Sequence, residues 1–97
     1  METCEMCKKD PRSEELTNNL LKRINKANGQ LNGISKMIQE NRYCRDVLIQ
    51  IIAVESALKE IGYMILEDHL MSCVTDDIKN DDLESLKEAL DIAKKLN

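Results

Sequence analysis

The feature that most constrains this chain is an apolar pattern that advances by threes and fours without a break for about thirty residues. Val47, Ile51, Val54, Leu58, Ile61 and Ile65 form one row, and the same stepping continues through His69 and Cys73. Steps of three and four keep side chains on one face of an α-helix. Thirty or so residues rising 1.5 Å each span roughly 45 Å, more than the rest of a 97-residue chain can cover. Leu48, Ile52, Ala57 and Met64 widen the stripe beyond what one neighbouring helix hides. The pattern therefore predicts a helix, opened by Asn41 as N-cap, that finishes its packing against a second copy of the chain.

An equivalent row precedes it. Leu16, Leu20, Ile24, Ala27, Leu31, Ile34 and Ile38 predict a first helix over Glu14–Glu40. Gly29 and Gly33 lie inside that helix, where each costs about 1 kcal/mol relative to Ala, so close approach of another group is expected there. Asp81 followed by Glu84 resembles a capping box and predicts a short third helix from Asp82 to Leu96, with Leu83, Leu86, Leu90 and Ala93 inward. Residues 1–12 are polar, hold the only Pro and read as a mobile N-terminal arm, leaving residues 13–97 as one three-helix domain. With no Phe, no Trp and only three Gly, the core must be aliphatic and turn formers are scarce, which excludes sandwiches, barrels and α/β folds. The fold class is all-α, and so short a chain has no room for a large enzyme cavity.

The net charge of −4 argues against a polycation that coats nucleic acid indiscriminately. The charge is unevenly spread, however. No acid occurs from Leu16 to Gln39, where Lys22, Arg23, Lys26 and Lys36 sum to +4, while residues 75–97 hold seven acids against four lysines. Lys22, Arg23 and Lys26 stand three and four residues apart and can form one positive ridge, although a solvated helix face would look the same. There is no apolar leader and no run of about 18 apolar residues. A cytoplasmic protein with no membrane partner is expected, and its four cysteines should be reduced and available for metals or redox chemistry.

The one histidine stands four residues before a cysteine, as His69-Leu-Met-Ser-Cys73, and residues four apart on a helix can grip one ion. A third ligand, Cys44, lies 25 residues earlier on the same helix, roughly 37 Å away. It cannot reach the pair within one chain. Antiparallel pairing of two copies would bring Cys44 of one chain beside His69 and Cys73 of the other, giving two equal sites. Two thiolates and an imidazole are soft ligands that favour Cu(I) in low coordination, whereas Zn²⁺ would want a fourth. The plainer reading, thiols filling an apolar stripe beside a packed histidine, stays open on spacing alone.

These residues carry a resemblance. Cys44 within Arg42-Tyr43-Cys44-Arg45-Asp46-Val47-Leu48-Ile49-Gln50-Ile51, then Leu66-Glu67-Asp68-His69 and Cys73, resembles the CsoR/RcnR family of small all-helical bacterial transcriptional repressors. Gly29-Gln30-Leu31-Asn32-Gly33-Ile34 is similar to the family's first-helix signature, and the likeness covers roughly residues 16–96. It implies a copper-sensing repressor that binds operator double-stranded DNA when apo, leaves it on binding Cu(I), and so derepresses copper-resistance genes. It implies Cys44 from one protomer, with His69 and Cys73 from the other, as the metal ligands. Tyr43 and Glu88 match residues thought to link the site to the response, Glu88 on the assumption of a one-residue deletion near Asn80 to Asp82. Arg23, Lys26 and Lys59 match the family's basic cluster. The implied assembly is a three-helix protomer in an antiparallel four-helix-bundle homodimer, two of which form a homotetramer.

The chain also departs from the family. Asn32 stands where an Arg is common, and the Gln-Leu-Asn-Gly wording is similar to the persulfide-sensing CstR branch, which keeps both cysteines but lacks the histidine. His69 tips the reading toward copper, and a persulfide- or thiol-redox-sensing repressor using Cys44 and Cys73 is the alternative. Cys4 and Cys7 form a single C-x-x-C, either an accessory thiol pair or one with no required role. Met37 and Met64 fall on apolar faces and read as core. A copper buffer or chaperone would prefer a more exposed site, and an enzyme would want a cleft and an orienting group beside its Cys–His pair. Neither fits as well as a repressor.

Overall fold

The computed structural model describes residues 12–81 and 83–97, with the backbone alone for Cys73, Val74, Asp76 and Asp77. The expected arm with Cys4 and Cys7, and the expected helix start at Asp82, lie outside the described residues. Helices α1 (Glu14–Gln39) and α2 (Cys44–His69) are followed by a π-helical turn (Leu70–Val74), a short α3 (Thr75–Lys79) and α4 (Glu84–Leu96). Among the described residues there is no strand, as the all-α expectation required, and no helix is long and apolar enough to cross a membrane. Two compact units emerge, one of Glu15–Ile61 and one built on Gly62–Asn97.

In the first unit, the buried residues of α1 are Leu20, Ala27 and Ile34, and those of the α2 segment are Val54 and Ile61. Each set repeats every seven residues, the spacing of a coiled-coil seam. A second row, also seven apart, runs beside each. Ile24, Leu31 and Ile38 on α1, and Ile51 and Leu58 on α2, are exposed. The predicted stripes are thus half covered. Among the described residues six hydrophobic side chains are buried and fifteen large ones are exposed, more apolar surface than a small domain usually leaves to water. Gly29 and Gly33 have nothing within 4 Å of where a Cβ would stand, so the close approach expected there is not made among the described residues.

The α1–α2 connection corrects the expected cap. Asn41 has a φ of 53° and closes α1 rather than opening α2. Its N–H donates to the Ile38 carbonyl at 3.1 Å, and the Arg42 N–H donates to the Met37 carbonyl at 2.9 Å. Those two bonds make a Schellman ending, in which Asn tolerates the left-handed backbone. Helix α2 starts instead from the Tyr43 carbonyl, which accepts from the N–H groups of Asp46 and Val47. Asp46 in the first turn of α2, and Lys36 in the last turn of α1, suit the helix dipoles.

The unit built on Gly62–Asn97 differs more from expectation. Asp81 has a φ of 59° and its N–H donates to the Ile78 carbonyl at 3.0 Å, so it closes α3 as Asn41 closes α1. No capping box forms, because Leu83 occupies the N-cap of α4 without a side-chain cap bond. The inward face of α4 is also rotated from the expected one. Ser85 and Ala89 are buried, Leu86, Ala93 and Leu96 are half-buried, and Leu83 and Leu90 are exposed. Small residues on that face let the helix lie close. Gly62 is where α2 and α4 approach: a Cβ there would stand 2.8 Å from Leu96 Cδ2. The π-helical turn packs against both α3 and α4.

Candidate functional site

The apolar pattern predicts one α-helix through Cys73, but the register changes at the first of the paired ligand candidates. His69, half-buried, is the last residue of α2, and the backbone of Cys73 lies inside the π-helical turn. Two hydroxyls bond backbone carbonyls at this turn. Ser72 Oγ donates to the Asp68 carbonyl at 2.8 Å, and Thr75 Oγ1 donates to the Leu70 carbonyl, five residues back, at 2.6 Å. Hydroxyls bonded to preceding carbonyls compete with the helix ladder and bend it, and isolated π turns concentrate at functional sites. In an α-helix of 3.6 residues per turn the fourth residue on passes a full revolution, whereas in a wider i→i+5 turn it falls short of one. The turn therefore sets the backbone phase of position 73 relative to His69.

Cys44 opens α2 and His69 closes it, so the two stand at opposite ends of one 26-residue helix. Among the described residues no three His, Cys, Asp or Glu side chains lie together where they could hold a metal. Cys44 and His69, at the two ends of α2, are not brought together. Cys44 carries a free, exposed thiol at an open groove of about 360 Å³ lined by Ile38, Asn41, Arg42, Val47 and Leu48. Tyr43, beside it, is 70% exposed. Glu88 is half-buried on α4, flanking the buried Ser85 and Ala89, on the helix that packs against the π-helical turn.

Lys22, Arg23 and Lys26 are all exposed on α1, and Lys59 is exposed on α2. Among the described residues none of the four pairs with a carboxylate, so their charge is not spent internally. Arg23 Nε donates to Asn19 Oδ1 at 3.2 Å, a partnership that charge counting missed and that the i, i+4 spacing of an amide and a guanidinium could have suggested. Thr75 and Ser72 were also missed, because an apolar stripe carries no signal for a hydroxyl that bonds backbone.

Comparison with known proteins gives a consistent set. A family model described as metal-sensitive transcriptional repressor matches residues 17–95. The copper-sensing transcriptional repressor CsoR of Bacillus subtilis is 43% identical over 88 residues, covering 90% of this chain and 84% of that protein. The copper-sensing transcriptional repressor RicR of Mycobacterium tuberculosis is 49% identical over 57 residues, 59% of each chain. Among solved structures, the copper-sensing repressor CsoR with Cu(I) from Geobacillus thermodenitrificans superposes with a TM-score of 0.80 at 39% identity, covering 89% of this chain and 91% of that one. The nickel-responsive transcriptional regulator InrS gives a TM-score of 0.72 at 38% identity, covering 87% of this chain and 99% of that one.

Proposed function

From the premise that the chain belongs to the family of metal-sensitive transcriptional repressors, we propose that it is a copper(I)-responsive repressor, bound to operator DNA when apo and released by Cu(I), so that copper-resistance genes are derepressed. The observation that carries this reading is the division of a thiol–imidazole–thiol set between the two ends of one helix, with Cys44 at its start and His69 and Cys73 at its finish. Such a set is soft and offers no carboxylate, which suits Cu(I) better than the square-planar N,O surroundings that Ni(II) favours. The names of CsoR and RicR support the same metal.

The exposed rows of α1 and α2 would close against a second copy in an antiparallel four-helix bundle, and two such dimers would form the homotetramer. Cys44 then meets the partner's His69 and Cys73. Together, Cys44, His69 and Cys73 would hold Cu(I), which would supply a link between the two chains. His69 would give one ring nitrogen to the ion and its other ring nitrogen to an outer partner, for which we propose Glu88, on the helix that packs against the π-helical turn. Lys22, Arg23, Lys26 and Lys59 hold DNA through phosphate charge, and no helix-turn-helix is needed for that contact. Release follows only if the ion favours the conformation with weaker DNA affinity.

The exposed Cys44 thiol keeps persulfide or thiol-redox sensing through Cys44 and Cys73 as the second reading. An anaerobic Cu(I) titration of the DNA-bound protein, run beside a polysulfide challenge, separates the two. Release at one Cu(I) per protomer, lost in His69→Ala, is expected. Release by polysulfide alone, with His69→Ala unaffected, would replace copper with sulfur chemistry.

A further inference from the structure

The positive ridge of α1 contains three cations of two kinds. Lys22 and Lys26 offer compact point charges, whereas the Arg23 guanidinium offers five N–H donors in a planar fork. Among the described residues only the arginine of the three is tied down, through Nε to Asn19 Oδ1 at 3.2 Å one turn earlier. A bond at Nε occupies the inner edge of the guanidinium and restricts rotation of its plane. It leaves the outer pair, Nη1 and Nη2, for two acceptors on another molecule.

The chemistry of the anchor also points outward. A Glu at position 19 would grip Arg23 more strongly, but it would cancel the charge and repel a phosphate. Asn19 holds the plane and leaves the full positive charge in place, in a stretch from Leu16 to Gln39 that contains no acid at all. Both side chains are exposed, and an isolated pair in water does little for fold stability.

We infer that Asn19 is a positioning residue for DNA binding, holding Arg23 so that its outer N–H pair meets paired acceptors on the duplex: two phosphate oxygens, or O6 and N7 of a guanine. This rests on the DNA-binding reading above. Free arginine loses rotamer freedom when it docks, and prior restraint removes part of that loss. Asn19→Ala should then weaken binding about two- to tenfold.

The test uses the apo protein and a duplex selected by it from a random-sequence pool, with Asn19→Ala, Arg23→Ala, Arg23→Lys and the Asn19→Ala/Arg23→Lys double variant. Arg23→Ala should bind more weakly, with a salt slope lower by about one unit for each phosphate left unneutralised. Asn19→Ala should lose affinity with its salt slope, Tm and Cu(I) affinity unchanged. Because lysine has no fork to hold, Asn19→Ala should cost nothing further in the Arg23→Lys background. Equal losses on selected and scrambled duplexes would assign the fork to phosphate, and a loss confined to the selected duplex would assign it to guanine. An Asn19→Ala loss that persists undiminished beside Arg23→Lys overturns the positioning role, as does native binding by Asn19→Ala while Arg23→Ala is impaired. Native binding by Arg23→Ala would instead remove the ridge as a DNA contact, and the role of Asn19 with it.

Discussion

At the scale of single residues, the proposed function assigns sensing and metal binding to different atoms, so the two should be separable by substitution. Cys44, His69 and Cys73 are the proposed soft ligands, whereas Tyr43 and Glu88, with hard oxygen donors that suit Cu(I) poorly, are proposed to act through a ligand or an adjacent helix. Glu88 sits half-buried on α4 beside the small buried pair Ser85 and Ala89, on the helix that packs against the π-helical turn. Glu88→Ala and Tyr43→Phe should therefore retain much of the Cu(I) affinity while reducing the copper-induced loss of DNA affinity, a coupling typically worth about 1–3 kcal/mol. Paired Cu(I) and DNA titrations measure both quantities, and parallel losses in the two would make these residues structural. The ligand candidates are legible in the sequence because thiols and imidazole are rare and their spacing is countable. Asn19 is not, since an asparagine on a helix surface has many uses and only the 3.2 Å contact with Arg23 singles one out.

At the scale of elements, periodicity locates all three long helices and fails at their ends and at the π-helical turn. Asn41 and Asp81 read as helix openers in the sequence, yet both close helices with a positive φ. The side chains that cap N-termini well are also those that tolerate the left-handed backbone, so the residue type alone is ambiguous. The apolar steps run through His69 and Cys73 without a break, whereas the change of register coincides with hydroxyl bonds that no hydrophobic pattern encodes. Thr75→Val keeps the shape and removes the bond to the Leu70 carbonyl. A stability loss of about 0.5–1.5 kcal/mol is expected from one hydrogen bond, together with weaker Cu(I) binding as position 73 shifts its phase. Thermal unfolding and a Cu(I) competition titration check the two parts. A destabilised variant with native copper affinity would show that the π-helical turn does not set the ligand geometry.

At the scale of the whole molecule, the second apolar row is left uncovered among the described residues. The width of the stripe and the length of α2 predict a partner from the sequence, and the structure leaves exposed Ile24, Leu31 and Ile38 on α1 and, on α2, Ile51 and Leu58 together with the flanking Leu48, Ile49 and Ile52. Cys44 lies seven residues before Ile51 and shares its row, so the surface that would bury the aliphatic side chains is the one that would deliver the thiol. Leu58→Glu places a charge in the middle of that surface, where an unpaired carboxylate is costly to bury. Sedimentation should find a smaller assembly, and the same preparation should lose tight Cu(I) binding. A dissociated protein that keeps native copper affinity would separate assembly from the site.

The division of the site between two chains is tested most directly by anaerobic Cu(I) titration of mixed chains. A Cys44→Ala chain lacks one ligand and a His69→Ala chain lacks another, so neither homodimer holds a complete set. In their heterodimer, Cys44 of the second chain faces His69 and Cys73 of the first, and one of the two sites is whole. Tight binding of one Cu(I) per heterodimer, absent from both parents, is the predicted result. Failure of the mixture to recover binding, or native affinity in either parent alone, would contradict a copper site shared between protomers.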